Sequence, residues 1–253
     1  MENSQETFQQ IEAKVIQEAR LYVNPFIEYV CRDERDNSPL YQGDIHIVMQ
    51  EFIDYCLDNG KTKIAIEAPF GHGKTIQVLG RALHLLGNNT NLRIKVVCNS
   101  DDNATERVIF IKTYIEESEE LRKVFPHLRP GNKAWGSRKL VVERETISKD
   151  ATFSAHGVLS SGVGGRADFL FCDDVVDLRN SQLQPSLKKQ VIEAYHSIWS
   201  SRLDGDEAIT IVIGTMWTQD DLMMDILNDL TFCNLKISVN QKIDRLICEY
   251  RGV

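Results

Sequence analysis

Ala68-Pro69-Phe70-Gly71-His72-Gly73-Lys74-Thr75 follows the apolar run from Ile64 to Ala68 and opens the helical pattern that begins near Lys74. The spacing is that of a phosphate-binding loop. Gly71 and Gly73 let successive backbone N–H groups converge on phosphate oxygens, and the helix after the loop points its positive dipole end at the same anion. Pro69 and His72 complete the nucleotide-binding set. Lys74 is placed to reach the β- and γ-phosphates of ATP, and the Thr75 hydroxyl to hold Mg²⁺. The usual pattern begins with Gly where this chain has Ala68, so the loop must accept a methyl group there.

The other half of such a site is found downstream. Phe169-Leu170-Phe171-Cys172 reads as a buried strand of a parallel sheet, and Asp173-Asp174 sits at its carboxyl end, where open α/β sheets place ligands. Asp173 suits the hold on Mg²⁺. Asp174 takes the place of the carboxylate that orients and deprotonates an attacking water, a role more often filled by the longer Glu. Asp177 reads as a cap for the segment after it. Between loop and acids, Arg93–Cys98 reads as a strand, and Asp101–Glu117 as a helix with Ala104, Val108, Ile111 and Ile115 on one face. A whole strand-helix unit therefore separates the two motifs. That arrangement fits a RecA-like phosphate-loop ATPase with an added strand and a catalytic acid, built on a mostly parallel central sheet flanked by helices. A further apolar strand, Ala208–Ile213, ends in Gly214-Thr215-Met216-Trp217. Thr215 is placed to sense the γ-phosphate and to hydrogen-bond the attacking water or Asp174, while Thr218 reads as the cap of a helix starting near Gln219.

Taken in order, these residues resemble the large subunit of tailed-phage terminase. The resemblance runs from about Gly43 to Leu227. It rests on the loop Ala68–Thr75, on Asp150–Gly157, on Gly164-Gly165-Arg166-Ala167-Asp168 leading into Phe171–Asp174, and on Gly214–Leu222. The resemblance implies an ATP-driven motor that packs double-stranded DNA into a procapsid. It would work as a ring on the portal with a small subunit as partner, in the host cytoplasm and transiently at the portal vertex, and as a monomer in isolation. It also implies Asp173 as the metal acid, Asp174 as the catalytic acid and Thr215 as part of the coupling motif. The carboxyl-terminal nuclease of that family has no room in this chain, so residues 38–253 are expected to be the ATPase domain, preceded by a helix and connector over 1–37. Two other readings stay open: a helicase-like or repair ATPase acting on DNA without a capsid, and a nucleotide-dependent interaction module with negligible hydrolysis.

Several residues carry narrower expectations. Arg166 follows the glycines Gly157, Gly162, Gly164 and Gly165. It either reaches a γ-phosphate in a neighbouring subunit or pairs with Asp168 or Asp173. Gln42 with Tyr41 is a candidate for reading adenine, against a packing and surface role. His46 reads as a core or surface histidine. Asn99, Ser100 and Asp101, at another strand end, face either DNA or nucleotide. The amphipathic stretch Thr7–Val30 carries Phe8, Ile11, Val15, Ala19 and Tyr22 at helical intervals and is expected to end at Asn24-Pro25. The charged run Cys31–Asn37 reads as a solvated connector.

The 253 residues, with a net charge of −8, allow one large α/β domain. Phosphate contact by a DNA motor is local, so overall acidity does not exclude it. The most basic segment, Leu121–Arg144, is a candidate DNA-facing or subunit-facing surface, against a solvated loop and hairpin. The six cysteines show no paired C-x-x-C spacing, which gives no indication of zinc. No signal peptide is legible, and no apolar run approaches the ~20 residues of a membrane span.

Overall fold

The computed structural model describes residues 2–161, 164–240 and 245–253. The phosphate-loop strand β1 (Lys63–Glu67) lies inside a nine-stranded sheet with β2 (Ile94–Cys98), β3 (Pro130–Trp135), β4 (Lys139–Val142), β5 (Phe153–Gly157), β6 (Phe169–Asp173), β7 (Ile209–Gly214), β8 (Cys233–Asn240) and β9 (Arg245–Arg251). The order across the sheet is β3-β4-β5-β2-β6-β7-β1-β8-β9. The six strands from β5 to β8 are mutually parallel, and β3, β4 and β9 close the two edges in antiparallel pairs.

The strand order refines the expectation from chain order. The strand-helix unit between loop and acids is β2 and its helix, but β2 lies on the far side of β6 from the loop. The strand inserted between β1 and β6 is β7, which carries Thr215 at its end. It is β7, from later in the chain, that makes the sheet one of the added-strand type.

Alternation along the strands divides the core in two. Ile64, Ile66, Val96, Phe171, Ile211 and Leu235 face one side. There they meet α1 (Glu2–Leu21), α2 (Val23–Val30), α3 (Asp44–Asp58), α4 (Lys74–Asn88), α5 (Asp101–Glu117) and α6 (Glu119–Val124). Ala65, Val97, Leu170, Cys172 and Val212 face the other side, covered by α7 (Pro185–Ala194), α8 (Leu222–Asn228) and the fully buried Trp199, whose indole N–H donates to the Val158 carbonyl at 2.8 Å.

The amino-terminal helix differs from the expected single element. The chain breaks at Tyr22 and restarts at Val23, so Pro25 stands in the first turn of α2, where its missing N–H costs nothing, rather than at a helix end. Phe26, Ile27 and Val30 are fully buried in the main core, and α2 lies so close to α4 that a Cβ on Gly80 would fall 2.7 Å from the Ile27 side chain. Phe8, Ile11 and Tyr22 are exposed, leaving Ala19 as the buried member of the predicted face. At the other cap, Asp221 rather than Thr218 starts α8: it accepts N–H bonds from Trp217, Thr218 and Met224. No described helix is long and apolar enough to cross a membrane.

His84 ties α4 to α1, its Nε2 lying 3.1 Å from the Arg20 carbonyl oxygen, and burial pushes its pKa down to about 4. Between an unfolded-state value near 6.5 and that folded value, the unfolded chain binds a proton that the folded chain refuses, so this contribution is present above pH ~6.5 and is lost as the pH falls toward 4. The loss amounts to about 3 kcal/mol. Urea denaturation at pH 7 and 4.5 is expected to show a larger fall for the wild type than for His84→Gln, which cannot be protonated. Equal falls would show that His84 does not titrate in this way.

Candidate active site

The carboxyl ends of β1, β6 and β7 lie side by side, and each delivers part of one cluster. After β1 the loop turns through Gly71 (φ 75°) and Gly73 (φ 66°), and Lys74 starts α4. A left-handed turn immediately before the helix is what directs the first N–H groups of α4 into the loop, and only glycine adopts it without strain. Lys74 is buried. Its ammonium donates to the Thr215 hydroxyl oxygen at 2.9 Å and to the Pro69 carbonyl at 3.0 Å, and stands 3.5 Å from Asp174 Oδ1. The Thr215 hydroxyl in turn donates to the Ala68 carbonyl at 2.9 Å.

Thr75 donates to Asp173 Oδ1 at 3.3 Å, so the loop hydroxyl and the strand-end acid, 98 residues apart in sequence, share one spot. Asp173 is fully buried, and burial pushes its pKa upward against the neighbouring Arg107 guanidinium. Asp174 adopts φ 46°, unusual for a residue with a side chain. Its N–H is held by the Ile213 carbonyl at 3.0 Å, which turns the carboxylate out of the sheet toward Lys74. Burial raises its pKa to about 6, with Lys74 opposing the shift.

These donors fit a hard divalent cation carried by a nucleotide. Thr75 Oγ1 and the Asp173 carboxylate are adjacent oxygens, and Mg²⁺ is ordinarily held by one or two such groups together with phosphate oxygens and water. Among the described residues no cluster of three or more His, Cys, Asp or Glu side chains forms a cage for a metal on its own. A cavity of about 610 Å³ opens beside the loop, lined by Gly71, Gly73, Thr75 and Arg107 and by Arg32 and Arg35. Within the Cys31–Asn37 connector, read from sequence as solvated, residues 34–37 are exposed and Arg32, Asp33, Glu34 and Arg35 also line this cavity.

The remaining candidates fall in different places. The His72 ring lies back on its own loop, with Nδ1 2.8 Å from the Phe70 carbonyl. Gln42 donates to the Asn24 carbonyl and side chain at 3.1 and 3.0 Å, leaving its Oε1 buried without a partner, while Tyr41 is exposed. Arg166 precedes the amino end of β6, separated from Asp173 by the length of that strand. Its guanidinium donates to the carbonyls of Ser201 and Leu203 at 2.8 and 3.3 Å. The predicted pairing with Asp168 or Asp173 does not occur: Asp168 is taken by Arg93 and Asp173 by Arg107. Gly162, one of the loop glycines, lies outside the described residues. Asn99 donates to Asp177 at 2.6 Å, Ser100 caps α5, and Asp101 accepts from the Gly157 N–H at 2.9 Å, so these three brace the strand ends against one another.

No family model matches the sequence, and no curated protein matches it. Among solved structures, the HK97 bacteriophage large terminase overlays with a TM-score of 0.56 at 16% identity, over 83% of this chain and 40% of that one. The chain has the fold of a large terminase. It spans 40% of the length of that terminase, and the strands that carry the site are part of a RecA-like α/β sheet. The Sulfolobus solfataricus SWI2/SNF2 ATPase core in complex with dsDNA overlays at 17% identity over 76% of this chain and 36% of that one, with a TM-score of 0.42, below the level at which a shared fold can be concluded.

Two residues in this terminase fold escape a reading by motif. Arg107, in the second turn of α5, donates to Asp173 Oδ2 at 3.0 Å and to the Thr75 hydroxyl at 3.3 Å. Its only sequence signal is a position three residues after Ala104, on the flank of the apolar face. His46 caps α3 through the Gly43 N–H at 3.0 Å and presses on the loop, so that a Cβ on Gly73 would lie 3.0 Å from its Nε2.

Proposed function

We propose that this chain is the ATP-hydrolysing motor domain of a viral terminase large subunit, which drives double-stranded DNA into a procapsid. The observation that carries the reading is the meeting of three distant segments around one point: Lys74 and Thr75 from the loop, Asp173 and Asp174 at the end of β6, and Thr215 just after β7. Bound Mg²⁺ would supply charge neutralisation at the β- and γ-phosphates. Gly71, Gly73 and the first turn of α4 hold the phosphates, with Pro69 and His72 shaping the loop. Lys74 places its charge on the terminal phosphates, and Asp174, raised toward neutrality, takes the proton of the attacking water. Thr215, bonded to Lys74 and to the backbone of β1, carries the change at the γ-phosphate into the segment leading to α8. Gln42, with Tyr41 beside it, is the candidate for reading the adenine base.

The assembled particle supplies what one copy lacks. Arg166, at the opposite end of β6 from the phosphates, serves the site of a neighbouring subunit in a homo-oligomeric ring. Partners are the portal of the procapsid, the small subunit and DNA, met in the host cytoplasm. Residues 38–253 form the ATPase domain, with 1–37 as its amino-terminal helical segment.

Steady-state phosphate release with Mg²⁺ and ATP tests the reading. Turnover is expected to rise when procapsids bearing the portal are added with linear DNA. Stimulation by DNA alone, unchanged by procapsids, would replace the packaging motor with a helicase-like ATPase; no release under any condition would reduce the chain to a nucleotide-binding module.

A further inference from the structure

We propose that Arg107 is a built-in substitute for the metal ion, a cation that holds Asp173 and Thr75 until a magnesium-bound nucleotide displaces it. The inference rests on the nucleotide reading of the site. Arg107 reaches both groups at once, with Nε and Nη2 each 3.0 Å from Asp173 Oδ2, and with Nη2 3.3 Å from the Thr75 hydroxyl. The same two groups are the donors that a Mg²⁺ ion would use. Such an ion needs its oxygens at about 2.0–2.1 Å, so the guanidinium and the ion cannot share the spot, and their like charges exclude each other.

The exchange also has an energetic reason. Asp173 is fully buried, and among the described residues Arg107 is its one ion-pair partner, Lys74 being paired with Asp174. A buried carboxylate left without a cation is strongly unfavourable, so the fold needs either the guanidinium or the metal in place. The displaced side chain has somewhere to go. Arg107 and Glu106 both line the cavity of about 610 Å³ beside the loop, and Glu106 Oε2 already lies 3.6 Å from Nη1. A short turn of the side chain would trade a buried carboxylate for a solvated one without moving α5. Loading of the magnesium-bound nucleotide is then a cation exchange, distinct from the role given to Arg166, and it proceeds within one copy of the chain.

The test is binding, read without turnover. A fluorescent methylanthraniloyl-ATP is titrated into the wild type, Arg107→Ala and Arg107→Gln, each in Mg²⁺ and in EDTA, and Mn²⁺ is titrated in the presence of a saturating non-hydrolysable ATP analogue with detection by electron paramagnetic resonance. Removing the competing cation is expected to raise the ratio of dissociation constants (EDTA over Mg²⁺) by about tenfold or more in Arg107→Ala. Mn²⁺ should bind the analogue-loaded Arg107→Ala more tightly than the analogue-loaded wild type. Circular dichroism monitors the fold. If Arg107→Ala does not fold, Arg107→Gln carries the test, since its amide can still donate to Asp173 but brings no competing charge, and the ratio should still rise. An unchanged ratio with intact nucleotide binding overturns the role of Arg107 alone. Absence of nucleotide binding in the wild type overturns the reading of the whole site, and this inference with it.

Discussion

Asp174→Asn is expected to lower ATP turnover by ~10²–10⁴-fold while leaving nucleotide affinity within about threefold. The substitution is close to isosteric, and Asn tolerates the positive φ that this position requires, so the backbone bond to the Ile213 carbonyl and the sheet around it stay in place. What is lost is the ability to accept a proton. Asp174 is suited to that task by two opposed influences: burial raises its pKa to about 6, while Lys74, 3.5 Å away, keeps enough of the carboxylate form for it to act as a base near neutral pH. Nothing about phosphate binding depends on it directly. Phosphate release and equilibrium titration, measured on the same preparation, separate the two effects. Normal turnover by the Asn variant would mean that another group takes the proton.

Lys74→Ala is expected to remove both properties together. The ammonium is buried, with its three donors directed at Thr215, Pro69 and Asp174. Losing one charge-assisted hydrogen bond to a phosphate costs about 1.5–3 kcal/mol, or roughly 10- to 150-fold in affinity. Turnover should fall below detection, because the same charge offsets what develops on the terminal phosphate in the transition state. The variant should still fold. Asp174 is a third exposed and regains water, and Thr215 keeps its bond to the Ala68 carbonyl. Calorimetric titration with a non-hydrolysable ATP analogue checks the first part and phosphate release the second. Retained binding would show that the loop amides alone carry the affinity and that Lys74 serves only the chemistry.

The local parts of this site are legible in the residues themselves. Two glycines before Lys74-Thr75 specify a turn that backbone sterics permit to few other residues. The apolar runs of β1, β2, β6 and β7 announce buried parallel strands because each must satisfy a core on both faces. A polar residue at the end of such a run has one place to go, the carboxyl edge of the sheet, and so Asp173, Asp174 and Thr215 are identifiable within a few residues of sequence. Periodicity likewise marks α3, α4 and α5.

Which of these strand ends become neighbours is settled by the packing of the whole sheet. The placement of β7 between β1 and β6, rather than β2 as the chain order suggests, comes from crossovers and pairing between distant segments, and no local signal records it. The same is true of Arg107, an ordinary helix arginine until α5 lays it beside Asp173, and of Arg166, which adjoins the acid strand in sequence yet stands at the wrong end of it. The connector Arg32–Arg35 becomes a cavity wall for the same reason. Residue chemistry and backbone preference act over one turn or one strand, whereas the partner of a buried charge is chosen by packing across all the layers of the fold.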